Sequence, residues 1–408
     1  MNPPLIASPR RAAVAFIFIT VFLDILAFGL IIPVLPHLIA GFVGGDLSVA
    51  AKWHGVFATA FMMTQFISSP IQGALSDRFG RRPVILLSNL GLGLDFMLMA
   101  LATTLPWLFI GRILSGITSA SFSTANAYIA DVTPPEKRAK AFGMIGMAFG
   151  LGFTLSPALG GIAGDINPRL PFWIAASLSI LNFCYGFFVL PESLLKENRT
   201  AFSWRRANPV ASLLWLRTQP AVFSLVAVTF LMALAHLVYP MTFVLYADYR
   251  FGWGIKMVGY TLAGVGILAA IVQGGLIGKL KAILGERRML LLGSACGALG
   301  FFLYGLAPSG YWFWAIMPIS AFWGIAGPAA QAIMTRKISP HEQGRLQGAI
   351  GSLNSVAGII APTIFAGTFA AIAVAPTPPW YAGATFWLAA SFVAIGGLIA
   401  WRSTQGER

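Results

Sequence analysis

Long apolar runs separated by short polar breaks fill the chain from end to end. Twelve stand out, near residues 12–35, 53–73, 83–104, 106–129, 140–163, 170–190, 219–246, 257–278, 288–306, 311–334, 346–370 and 380–401. Each approaches or exceeds the roughly 20 residues that an α-helix needs to cross a hydrocarbon core. An open sheet cannot span lipid, because its edges would leave backbone groups without partners, so the runs predict helices. The pattern predicts an all-α membrane protein with twelve transmembrane helices. The first run follows Arg10-Arg11 and mimics a signal sequence. Its length and the presence of Asp24 predict a retained helix instead.

Composition agrees. Of the 408 residues, 57% are hydrophobic and 10% charged, whereas soluble domains rarely exceed half apolar. A net charge of +14 would suit a nucleic-acid partner, but its distribution argues otherwise. Of the 27 lysines and arginines, 22 fall in every second loop and at both termini. They cluster at Arg10 and Arg11, at Arg78, Arg81 and Arg82, at 137–140, at 196–217, at 279–288, at 336–345 and at the C-terminus. Basic residues retained on one side predict that both termini and those loops are cytoplasmic, with the lipid bilayer as the partner and no nucleic acid. Arg112 lies inside a run. Cys184 and Cys296 fall in separate runs and read as small apolar residues. His37, His54, His236 and His341 form no metal-binding spacing, so neither metal nor cofactor is expected.

The chain repeats itself at an offset of 205 residues. Gly73-x-Leu75 and Gly80 map to Gly278-x-Leu280 and Gly285, Pro135 to Pro340, Gly143 to Gly348, and Pro157 to Pro362. The repeat has decayed at Asp77, which maps to Ala282, and at Arg112, which maps to Met317. This predicts two parallel six-helix halves, 1–193 and 219–408, joined by a basic cytoplasmic linker at 194–218. Transporters built from such repeats bind their cargo at the interface of the halves, near the bilayer midplane.

Polar side chains inside apolar runs mark candidate chemistry, because an ionisable group in the membrane is costly and functional by default. The first run carries Asp24 and the third carries Asp95. The fourth carries Arg112, which keeps its proton and needs a carboxylate or a wet cavity. Asp24 and Asp95 are its candidate partners. Gly116, Ser119, Ser123 and Asn126 follow at helical spacing. Gln65, Asn126, His236, Gln273, Gln331 and Asn354 are candidate cavity-wall residues for a substrate, with Tyr239 and Trp323 beside them. The fifth run holds glycines at 143, 146, 150, 152, 160 and 161 around Ser156-Pro157, a density that permits close helix contact.

Between the second and third runs stands Gly73-Ala-Leu-Ser-Asp-Arg-Phe-Gly-Arg-Arg-Pro83. Glycines at 73 and 80 allow close packing and positive φ. The string resembles the signature loop of the major facilitator superfamily, G-x-L-S-D-R-x-G-R-R-P. Phe22 to Pro36, Ala125 to Asp131, Leu190-Pro-Glu-Ser193 and Gly285-Glu-Arg-Arg288 resemble the tetracycline efflux branch. The resemblance implies the major facilitator fold and a gating role for Gly73, Asp77, Arg78, Gly80, Arg81 and Asp131. Asp77 is then expected against the N-terminus of the eleventh run near Gly344, and Arg81 against Asp131. It implies proton coupling through Asp24, Asp95 and Arg112, and it makes Gly152, Pro157, Gly160 and Gly161 a match to the antiporter motif G-x-x-x-G-P-x-x-G-G. Ser156 departs from that motif. The tetracycline exporters' His and Asp in the second half correspond here to Ala269 and Gly297.

The expected function is therefore a proton-coupled efflux antiporter that exports amphipathic, drug-like molecules, tetracycline-like or broader, by alternating access as a monomer. A symporter or uniporter for a small metabolite is the alternative, and the glycine motif argues against it. A membrane enzyme is disfavoured, since neither a nucleophile elbow nor a phosphate loop is present. A transporter-like sensor would be expected to carry an appended soluble domain.

Overall fold

The computed structural model describes residues 7–119, 121–133, 135–200, 216, 219–339, 342–374 and 378–406. Helices account for nearly all of them, with no strand among the described residues. In chain order these are α1 (Ala7–Leu30), α2 (Leu35–Phe42), α3 (Leu47–Phe79), α4 (Arg81–Leu101), α5 (Leu105–Thr118), α6 (Ser121–Val132), α7 (Pro135–Ile166) and α8 (Leu170–Val189). After the linker come α9 (Pro220–His236), α10 (Val244–Phe251), α11 (Ile255–Ala270), α12 (Ile277–Leu306), α13 (Gly310–Ala321), α14 (Ala326–Lys337), α15 (Gln343–Ile372) and α16 (Ala384–Ser403).

Among the described residues, nine helical segments are long and apolar enough to cross a membrane. The twelve expected runs map onto the helices unevenly. Those at 257–278 and 288–306 share one 52-residue segment, Ile255–Leu306, which turns at Gly285 with φ +69°. The run at 106–129 divides between α5 and α6, both short. The run at 53–73 lies within the 33-residue α3.

The chain divides into two compact units, 1–34 with 60–208, and 35–59 with 209–408. Packing thus draws the boundary differently from the expected halves at 193 and 219. Residues 35–59 belong with the second unit because their polar groups are held there. Ser48 Oγ donates to the Ala370 carbonyl at 2.8 Å, His54 Nε2 donates to the Pro240 carbonyl at 3.0 Å, and His37 Nε2 lies 3.7 Å from Asp248. Of the expected linker 194–218, most lies outside the described residues; the described part includes a short turn at Lys196–Asn198.

In the first unit, α1 packs on α7 and α8, and α4 packs on α8 and α5. Phe16, Ile17, Val21 and Ile25 of α1 bury their side chains with Tyr128, Ile129 and Ala148. In the second unit α16 packs on α12 and α9, and α9 also packs on α15. A cluster of aromatic rings fills its core, with Tyr304 and Phe313 stacked at 4.0 Å and Phe386 edge-on to Tyr246 at 4.8 Å.

Candidate functional site

The signature string is a continuation of helix broken at one residue. α3 runs unbroken through Gly73 to Phe79, and α4 begins at Arg81. Gly73 is therefore helical, with no described atom within 4 Å of where a Cβ would sit. The freedom a glycine offers goes unused there, because the helix does not turn. Gly80 alone supplies the turn, with φ +107°, a region L side chains rarely adopt. Its counterpart in the repeat, Gly285, has the same kind of backbone.

This turn brings Arg81 into the centre of a polar cluster. Arg81 is buried, and its Nε donates to Asp131 Oδ2 at 3.1 Å. Its Nη1 donates to Asp77 Oδ1 at 2.5 Å and to Ser76 Oγ at 2.7 Å. Ser193 Oγ donates to the same oxygen of Asp131 at 3.0 Å. Arg81 and Asp131 are thus in the contact the resemblance implied. Arg78 and Asp77 lie on the last turn of α3, and the backbone N–H of Thr200 donates to the Asp77 carbonyl at 3.1 Å. The side chains at 344 and 345, where Asp77 was expected to dock, lie outside the described residues.

Three ionisable groups are buried in the apolar body of the first unit. Asp24 is 6% exposed, Asp95 1% and Arg112 5%. Asn182 of α8 donates through Nδ2 to Asp24 Oδ1 at 3.0 Å and to the Thr20 carbonyl at 3.1 Å. Ser115, one turn along α5 from Arg112, donates to Asp95 Oδ2. The guanidinium of Arg112 lies over the Phe61 ring at 4.2 Å. Asp95 Oδ1 and Arg112 Nε and Nη1 are buried without a hydrogen bond among the described residues. Such groups are expensive to hold in an apolar bundle.

The glycine-rich α7 lies against α1. A Cβ at Gly160 would strike the Leu30 carbonyl, and one at Gly152 would meet Ile25. Ser156 is fully buried against Gly29. Pro157 lies inside the helix, and it and Gly161 are buried. The motif therefore acts locally as a seam that lets two helices approach.

The second unit holds a cavity of about 390 Å³. Its walls include His236, Gln273 and Asn354 as expected, together with Tyr239 and Trp323. Gln331 is absent from the lining; it is half-buried on α14. Gln65 and Asn126 belong to the first unit, where Gln65 Nε2 donates to Ser119 Oγ at 3.1 Å and Asn126 is exposed. Ala269 lines the cavity, and Gly297 lies against the Trp323 indole, so a side chain there would displace the ring. Sequence reading missed Asn182, Ser115, Phe61 and Glu192, and the cavity's Thr229 and Ser320. Asn182 was detectable as a lone amide in an apolar run; the others carry no local signal.

Residues 17–362 match the sequence profile of the Major Facilitator Superfamily. The chain is 40% identical to the class C tetracycline resistance protein of Escherichia coli, over 90% of this chain and 93% of that one. It is 30% identical to multidrug resistance protein 2 of Bacillus subtilis (strain 168), over 82% of each. Its fold is similar to that of the human organic anion transporter MFSD10 (TETRAN), with TM-score 0.71 and 24% identity over 98% of this chain and 100% of that one.

Proposed function

This chain belongs to the Major Facilitator Superfamily, in its tetracycline-resistance type, and on that premise we propose that it is a proton-coupled antiporter exporting amphipathic, drug-like molecules. The setting is a bacterial inner membrane, crossed many times, with both termini cytoplasmic. The observation that carries the reading is the burial of Asp24, Asp95 and Arg112 together in one apolar unit. An ionised side chain at the centre of a membrane helix costs about 3 kcal/mol. A carboxylate that takes up a proton escapes that cost, so proton binding and conformation become linked. Asp24 is the essential carrier in this reading, held in place by Asn182. Asp95 and Arg112, buried in the same unit, are the charges that respond to it. Arg81, with Asp77 and Asp131, biases the gate on the cytoplasmic side. The protein acts as a monomer, and the proton gradient supplies the energy without a cofactor.

The test is expression in a pump-deficient bacterium. The wild type should raise the inhibitory concentration of tetracycline or of other planar amphipathic drugs. Asp24→Asn should lose that protection at equal expression. Full protection by the variant would remove Asp24 as carrier, and no protection by the wild type against any compound would overturn export.

A further inference from the structure

The cavity of the second unit is built where three helices abandon the α pattern. Tyr239 belongs to a π turn at Tyr239–Phe243, Gln273 to a second at Ile271–Leu276, and Trp323 and Gly324 to a 3₁₀ turn at Phe322–Ile325. Such departures inside helices concentrate at functional sites. They re-aim side chains that a regular helix would turn away.

His236, Gln273 and Asn354 are exposed to this space, and none of them hydrogen-bonds another described residue. Two amides and an imidazole thus offer both donors and acceptors to a guest. Trp323 presents a large flat face, with its ring 5.5 Å from His236 and 5.1 Å from Phe301. Gly297 leaves room for that indole, and Gly324 leaves room for the Gln273 amide. None of the sixteen lining residues is Asp, Glu, Lys or Arg. An ion lodged against such walls would give up part of its hydration with no opposite charge to replace it. A neutral ring system would keep its hydrogen bonds and gain stacking. The volume falls in the range of small-molecule sites.

We propose that this cavity binds an uncharged, planar aromatic ligand, stacked on Trp323 and hydrogen-bonded by Gln273, Asn354 and His236, and that it discriminates against ionic ligands. This deepens the export reading by naming the chemistry of the cargo, and it rests on that reading.

The test is fluorescence titration of the full chain in lipid nanodiscs, with empty nanodiscs subtracted. Three probes are used: neutral N-phenylnaphthylamine, the anion anilinonaphthalenesulfonate on the same ring system, and the permanent cation ethidium. The wild type should bind the neutral probe at least about tenfold more tightly than either ion. Gln273→Ala and Asn354→Ala should each weaken the neutral probe by about tenfold, and Trp323→Ala should abolish its binding. Ala269→Lys should gain the sulfonate, and Ala269→Asp should gain ethidium. Equal binding of charged and neutral probes by the wild type, or neutral binding unchanged in Trp323→Ala, overturns the proposal; so does binding of no probe. Should the charged variants fail to fold, the Gln273 and Asn354 variants decide alone. Binding needs no transport, so the two readings fail separately. Neutral binding without cellular protection sinks export and spares the site. Protection without neutral preference sinks the site and spares export.

Discussion

Glu192 stands just past the end of α8 and reaches the first free N–H groups of α4. Its Oε1 accepts from Arg81 N at 2.8 Å and its Oε2 from Arg82 N at 3.3 Å. A carboxylate there satisfies orphan donors and faces the positive end of the helix dipole. The same oxygen Oε1 accepts from Leu194 N at 3.0 Å, tying the start of the linker to the turn. Glu192→Ala should cost about 1 kcal/mol of stability, with Glu192→Gln costing less because its amide oxygen still accepts. Thermal unfolding of the purified variants measures this, and an unchanged transition in Glu192→Ala would deny the cap. The role was not legible beforehand, because Glu192 lies 111 residues from its partner Arg81 and caps without a local motif. Asp131 was legible as the acid at the inner end of the fourth run, within reach of Arg81.

At the scale of elements, the repeat keeps an ion pair but reverses its sign. At the 205-residue offset, Arg81 corresponds to Glu286 and Asp131 to Arg336. Arg81 pairs with Asp131 in the first unit, and Glu286 pairs with Arg336 in the second, where Lys281 Nζ adds a contact at 3.1 Å. The geometry of the turn, set by Gly80 and Gly285, thus matters more to the pair than which side carries the positive charge. Arg81→Glu alone would bring an acid against Asp77 and Asp131 and should cost on the order of 3 kcal/mol. Ala282 shows how the second unit avoids the clash, since it stands where Asp77 does in the first. The triple change Asp77→Ala, Arg81→Glu and Asp131→Arg copies that arrangement and should recover most of the lost stability. Thermal unfolding compares them, and a triple variant no better than Arg81→Glu would show that the pair is not transferable. The glycines of α7 were legible as a packing seam from spacing alone, but which helix they faced came only from the Leu30 and Ile25 contacts. The break at Gly80 was misread as a longer turn, because charged residues at 77 and 78 look like a loop while their backbone stays helical.

At the scale of the molecule, the two units have diverged in chemistry. The first buries Asp24, Asp95 and Arg112, whereas the second has Met317 in place of Arg112 and an uncharged cavity beside it. In this account the first unit handles protons and the second handles cargo. The all-helical fold and the repeat were legible from run length and offset, since hydrophobic spans of this length have one solution in lipid. The grouping of 35–59 with the second unit was not, because it depends on the His54 and Ser48 contacts to backbone carbonyls far along the chain. Nor were the π turns that shape the cavity, since they sit inside apolar runs that read as regular helix. Exchange of drug for protons through Asp24 is read out in proteoliposomes loaded with a pH-sensitive dye. When a planar drug against which the wild type protects cells is added under an imposed pH difference, protons should move against the drug. Asp24→Asn should show no drug-driven proton movement while still binding the drug. Protons moving in the same direction as the drug, or undiminished exchange by Asp24→Asn, would contradict it.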